Sequence, residues 1–115
     1  MANELILVRN QKNTASDTIE IFYTADNGID GVLISAFTAS NDNDGGSSIS
    51  FKAYIYDSSG AAVSAVIPFS IVKRQRVNYG ASIVGHMIPA GGSLRLESSQ
   101  PDILSFYVTG QVLGT

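Results

Sequence analysis

The side chains able to do chemistry in this chain are few and scattered. Its single histidine, His86, stands before "MIPAGG" and after the strand-like "ASIVG". A histidine base needs an acceptor within reach and usually a carboxylate to orient its ring, and no flanking motif supplies a nucleophile. Neither "GASIVG" nor "GGSLR" fits a Gly-x-Ser-x-Gly elbow, and both lack the strand-to-helix setting that such an elbow requires. His86 therefore reads as a strand-end residue dispensable for function. The stretch "NDNDGGSS" offers Asp42 and Asp44 to a cation, but counting from Asp42 a calcium loop would need an acid at its twelfth position, where Ala53 stands. A hairpin turn is the simpler reading. With no cysteine there is no thiolate nucleophile, disulfide or zinc-thiolate site. No catalytic residue, metal site or cofactor is expected, and the chain does not read as an enzyme.

Composition narrows the partners. The 115 residues suffice for one core and are too few for two. Apolar residues make up 44%, which rules out wholesale disorder, while charged residues make up 15%, against roughly 25% in soluble domains. Low charge implies surface covered by neighbours, so a homo-oligomer or larger assembly is expected. A net charge of −3 argues against nucleic-acid binding, which needs a concentrated basic face. One basic cluster, Lys73, Arg74 and Arg76 in "VKRQRVN", has the charge to touch an acidic partner or phosphate, but a solvated strand end is the simpler reading. The apolar run in "MANELILVRNQ" covers only residues 5–8, too short for a signal peptide or a membrane span.

Such residues must be positioned by strands, because alternation recurs and helical spacing hardly appears. In "SSISFKAYIYD", Ile49, Phe51, Ala53 and Ile55 share one face, with Lys52, Tyr54 and Tyr56 on the other. "DTIEIFYTA" sets Ile19, Ile21 and Tyr23 against Glu20, Phe22 and Thr24. Strands are predicted over 4–9, 18–24, 31–40, 48–56, 63–71, 81–86, 93–97 and 103–112, separated by turns such as "DNGIDG", "DSSGAA" and "PAGG". Pro89, Gly91 and Gly92 reverse the chain, after which Leu94 and Leu96 face one way and Ser93, Arg95 and Glu97 the other. The expected fold is all-β: a single antiparallel β-sandwich of six to eight strands, jelly-roll or Ig-like, over residues 1–115. Within it, residues 1–17 form a strand or arm that the polar "NQKNTASD" would let swing to a neighbouring subunit.

Two stretches, "IFYTADNGIDGVLISAFTASNDND" and "IPAGGSLRLESSQPDILSFYVTGQV", resemble a group of small tailed-bacteriophage virion proteins that fold as compact β-sandwiches. The resemblance covers most of residues 18–112 and rests on turns and alternation, with no catalytic signature. It implies a non-enzymatic subunit, made in the host cytoplasm and resident in the virion, that decorates or cements the capsid or serves the neck or tail. Its partners would be major capsid or tail and neck proteins and further copies of itself, with no nucleic acid and no membrane. The expected interface comprises Lys52, Tyr54 and Tyr56, with Lys73, Arg74 and Arg76. The alternative is a glycan- or receptor-binding β-sandwich using Tyr23, Tyr54, Tyr56, Tyr79 and Tyr107 as stacking platforms, a reading weakened by the absence of tryptophan.

Overall fold

A computed structural model describes residues 3–41, 48–72, 77–79 and 83–114. They form nine strands: β1 (Asn3–Gln11), β2 (Glu20–Thr24), β3 (Gly31–Asn41), β4 (Ile49–Tyr56), β5 (Ala62–Val72), β6 (Val77–Asn78), β7 (Met87–Pro89), β8 (Ser93–Ser98) and β9 (Leu104–Leu113). Among the described residues there is no helix. Alternation becomes burial most plainly in β4, where Ile49, Phe51, Ala53 and Ile55 are buried and the residues between them are half-exposed. In β9, Leu104, Phe106 and Val108 are buried and Ser105, Tyr107 and Thr109 face out. A side-chain period of two leaves such sequences one stable choice of face.

All ladders are antiparallel. One sheet has the order β1-β9-β3-β6, with β7 pairing β3 on the same side as β6; the other has the order β2-β8-β4-β5. Setting aside the three-residue β7, the first strand pairs with the last, the second with the next to last, and so on to the β4–β5 hairpin. That is one long folded hairpin. Rolling it up creates two further ladders, β3 with β9 and β4 with β8, and divides the strands between the sheets. This wrapping is a jelly roll, so the Ig-like alternative is set aside.

The space between the sheets is filled by aromatic rings from both. Phe106 of β9 lies 5.5 Å from Phe22 of β2, 5.6 Å from Phe51 of β4 and 6.0 Å from Phe37 of β3. Edge-on and tilted rings at these separations gain from their quadrupoles as well as from burial. Leu94, Leu96, Val32, Ile34 and Ile88 complete the surrounding layer, each fully buried.

The structure corrects the predicted strand over 81–86. Residues 81 and 82 lie outside the described residues, and Ile83–Gly85 form a turn. Gly85 has φ 94°, and His86 N–H donates to the Ile83 carbonyl at 3.1 Å. The apolar character that suggested a strand belongs to Ile83 alone, which anchors the turn in the core while Val84 is 42% exposed. Pairing with β3 begins at Met87, inside the stretch read as a turn. The reversal itself falls at Pro89–Gly92, closed by Gly92 N–H to Pro89 O at 2.8 Å. Gly91 there adopts φ 71°, and a Cβ on Gly92 would collide with the Tyr56 carbonyl oxygen. That close approach seats the start of β8 against the end of β4.

The N-terminal segment is docked along β9, with the regular register Asn3↔Val112 to Ile6↔Thr109. The polar connector after it, expected to let the strand swing, is tied down. Asn13 is buried and donates from Nδ2 to the Leu96 carbonyl at 3.0 Å and to Glu20 Oε2 at 3.2 Å, although its Oδ1 has no partner. Asp102 N–H donates to Asn13 O, and Asp17 N–H to Ser98 O, each near 2.8–2.9 Å. Glu20 sits opposite Leu96 at the rim, where its carboxylate also accepts from Thr14 N–H, Thr14 Oγ1 and Ala15 N–H. Burial alone would raise the Glu20 pKa, but these hydrogen bonds outweigh it and hold the carboxyl below its usual range. A depressed folded-state pKa contributes stability that is present above the unfolded value, about 4.3, and is lost as pH falls through the folded value. Melting temperature should therefore fall in acid for the native chain. Glu20→Ala should cost about 1 kcal/mol of stability at pH 7 and flatten the acid dependence of the melting temperature, measured by thermal melts from pH 7 to 3.

Candidate functional site on the outer face of the four-stranded sheet

The ladder between β4 and β8 runs without a bulge from Phe51↔Ser98 to Tyr56↔Ser93, which makes the centre of this sheet its most regular part. With the buried faces of both strands committed to the core, Lys52, Tyr54 and Tyr56 of β4 stand outward beside Arg95 and Glu97 of β8. Lys52 is in register with Glu97 and Tyr54 with Arg95, and exposed Ile21 of β2 extends the Arg95 row.

These side chains are organised among themselves. The Arg95 guanidinium carbon lies 3.9 Å from the Tyr56 ring centroid, and its Nε donates to Ser93 Oγ at 3.0 Å. Tyr54 stands edge-on to Tyr56 at 6.4 Å and donates from its hydroxyl to Glu97 Oε1 at 3.2 Å. Partial burial, the Glu97 charge and that hydrogen bond all push the Tyr54 phenol up from its ordinary value, so it stays protonated and donating across the physiological range. A cation over an aromatic face at a partly exposed site contributes about 0.5–1 kcal/mol, enough to hold both groups in one arrangement. Ordered amphipathic side chains of this kind lose little entropy when a partner covers them.

A notch of about 150 Å³ opens beside this cluster, lined by Asp17, Ser50, Lys52, Glu97, Ser98 and Ser99. Small-molecule sites usually need roughly 300 Å³ or more, so its size suits a protruding side chain of a protein partner.

No protein-family model, curated protein or solved structure matches the chain.

Of the predicted interface residues, the structure brings together Lys52, Tyr54 and Tyr56; Lys73, Arg74 and Arg76 lie outside the described residues, as do Asp42 and Asp44. Alternation along β8 marks Arg95 and Glu97 as outward-facing but does not join them to the site. The signal that would have found them is the β4–β8 register, which joins residues some forty positions apart and leaves no mark on local alternation. The five tyrosines do not form one platform. Tyr107 is on the outer face of the opposite sheet, Tyr79 follows β6 and is 70% exposed, and Tyr23 packs against the core. Tyr56 already carries Arg95 on its ring, so a sugar stacking there would have to displace it.

His86 is exposed at the far side of the fold, and the structure uses only its backbone, whose carbonyl accepts from Ile34 N–H at 2.9 Å. Among the described residues, no three acidic or histidine side chains gather as metal ligands. His86→Ala should change stability by no more than about 0.5 kcal/mol and leave any partner binding intact, checked by thermal melts and by co-sedimentation with particles.

Proposed function

We propose that the protein is a non-enzymatic structural subunit of a tailed-bacteriophage virion, decorating or cementing the capsid or serving as an accessory subunit of the neck or tail. The observation that carries this reading is the jelly-roll wrapping, a fold recurrent in viral capsid proteins, found in a chain whose turns and alternation resemble small virion β-sandwiches. The contact with the virion is made by the outer face of the four-stranded sheet, where Tyr54, Tyr56 and Arg95 supply the aromatic and guanidinium groups that concentrate binding energy at interfaces. Individual contacts need not be strong, because a symmetric lattice engages many copies at once.

The test is composition of the particle. Virions of the phage that encodes this chain, purified through a density gradient, should contain it in a fixed ratio to the major capsid or tail protein, read by quantitative mass spectrometry. Its absence from purified particles, with the protein present in the lysate, would contradict the reading.

A further inference from the structure

The first strand is regular where it begins and irregular where it ends. Residues 3–6 keep a continuous ladder with β9, but β1 carries one extra residue between Ile6 and Val8 and another between Val8 and Gln11. Asn10, in the second bulge, has φ 47°, a left-handed backbone that disfavours any residue with a side chain, asparagine less than most. Three positions on, Asn13 is fixed to the body of the domain: its Nδ2 donates to the Leu96 carbonyl, and its own carbonyl accepts from Asp102 N–H. Its Oδ1 is the one buried side-chain polar atom among the described residues that has no hydrogen-bond partner. Two bulges, a left-handed residue and an orphaned acceptor thus fall within residues 7–13, where β1 becomes the connector.

A short hinge under strain beside an edge strand invites strand exchange, because the strand's pairing survives when another copy supplies it and only the hinge changes. β1 is the outer strand of its sheet and pairs with β9 alone. No disulfide holds it. Leu7 and Val8 are buried, so a place vacated by β1 must be refilled, and the side chains that fit it are those of β1 itself. Leu5 and Ile6 remain 38% exposed each, apolar surface that contact with a second copy would cover.

We propose that two copies of this chain exchange their first strands about a two-fold axis, residues 3–8 of each pairing with β9 of the other. The hinge is 9–12, and Asn13 stays anchored in its own body. The register of residues 3–8 on β9 is unchanged, and Asn10 leaves the left-handed region as the hinge extends. Four extended residues span about 13 Å, so the two bodies must pack side by side. The inference goes beyond the virion reading and does not depend on it.

Disulfide trapping tests it in a chain free of native cysteine. Glu4 and Gln111 are directly opposite in the ladder, a placement that cysteines can bridge. The Glu4→Cys/Gln111→Cys variant is refolded under reducing conditions at ~1 and ~100 μM, oxidised, and run on a denaturing gel without reductant, with the bridges mapped by peptide mass spectrometry. Bridges between position 4 of one chain and position 111 of another should appear and rise with concentration. In the same background, Asn10→Val, which β-branching penalises in the closed form, should raise the exchanged fraction about fivefold, and Asn10→Gly should lower it. The native chain at ~100 μM should be dimeric by sedimentation equilibrium. Bridges confined to single chains at both concentrations overturn the proposal, as does a monomeric native chain. Links joining position 4 to position 4, or 111 to 111, overturn it too, because they mark contact without exchange. So does an exchanged fraction indifferent to both Asn10 substitutions.

Discussion

Phe106→Ala should lower the stability of the domain by about 3–5 kcal/mol, the largest effect expected of any single substitution outside the interface. Phe106 has no exposed surface and touches three other phenylalanine rings, two of them from the facing sheet. Truncation removes the ring's transfer free energy, leaves a cavity that rigid neighbours close only in part, and breaks every aromatic contact between β9 and its neighbours in the core. A domain of this size typically has only about 5–15 kcal/mol in total, and without disulfides it has no covalent reserve. In urea the midpoint should fall by about 2 M, with little change in slope. Phe106→Leu, which refills most of the volume, should recover more than half of the loss. An alanine variant within about 1 kcal/mol of the native chain would show that the two sheets do not meet at this ring.

The second large effect concerns binding. A truncated hot-spot aromatic commonly costs about 2 kcal/mol or more, roughly thirtyfold in affinity. Tyr54 and Tyr56 touch each other and share the Arg95–Glu97 framework, so their contributions will not add simply. The double variant Tyr54→Ser/Tyr56→Ser should lose at least about a hundredfold in attachment to particles. Folding should suffer little: both rings are on the outward face, and the hydrogen bond and cation contact they release are at a site that water can reach. Arg95→Ala, which frees the Tyr56 ring and removes the guanidinium, should produce a smaller loss of the same kind, whereas Lys52→Ala at the edge of the notch should act mainly on the salt dependence.

Much of the architecture is legible in the linear order of residues, for reasons particular to each segment. In β4, and over Ser93–Glu97 of β8 and Leu104–Thr109 of β9, one face is apolar and the other carries the polar side chains and the tyrosines, so period-two alternation both identifies the strand and assigns its faces. In β2 both faces contain large apolar groups. The register shift between Ile21 and Tyr23 lets Phe22 reach the core and leaves Ile21 52% exposed, which alternation by itself does not decide. The turn at Ile83–Gly85 is misread as a strand because a buried side chain in a turn and one in a strand have the same composition; only the left-handed backbone of Gly85 distinguishes them. Strand pairing is the larger gap. Alternation is a local property, whereas the jelly-roll wrapping depends on ladders such as β1 with β9 that join opposite ends of the described chain. The candidate site inherits that division: Lys52, Tyr54 and Tyr56 share one strand, and Arg95 and Glu97 join them only through a non-local ladder.

The central claim, that the outer face of the four-stranded sheet attaches the folded subunit to the virion, is tested most directly by one paired measurement on the Tyr54→Ser/Tyr56→Ser protein. Co-sedimentation with purified particles that lack the subunit and the thermal melt of the free protein should be recorded on the same preparation. The account predicts a melting temperature within a few degrees of the native chain together with attachment reduced by at least about a hundredfold. Native attachment by the variant would contradict the account, because the tyrosine face would then be uncovered in the particle. Collapse of the melt would contradict it differently, by showing that these rings support the fold.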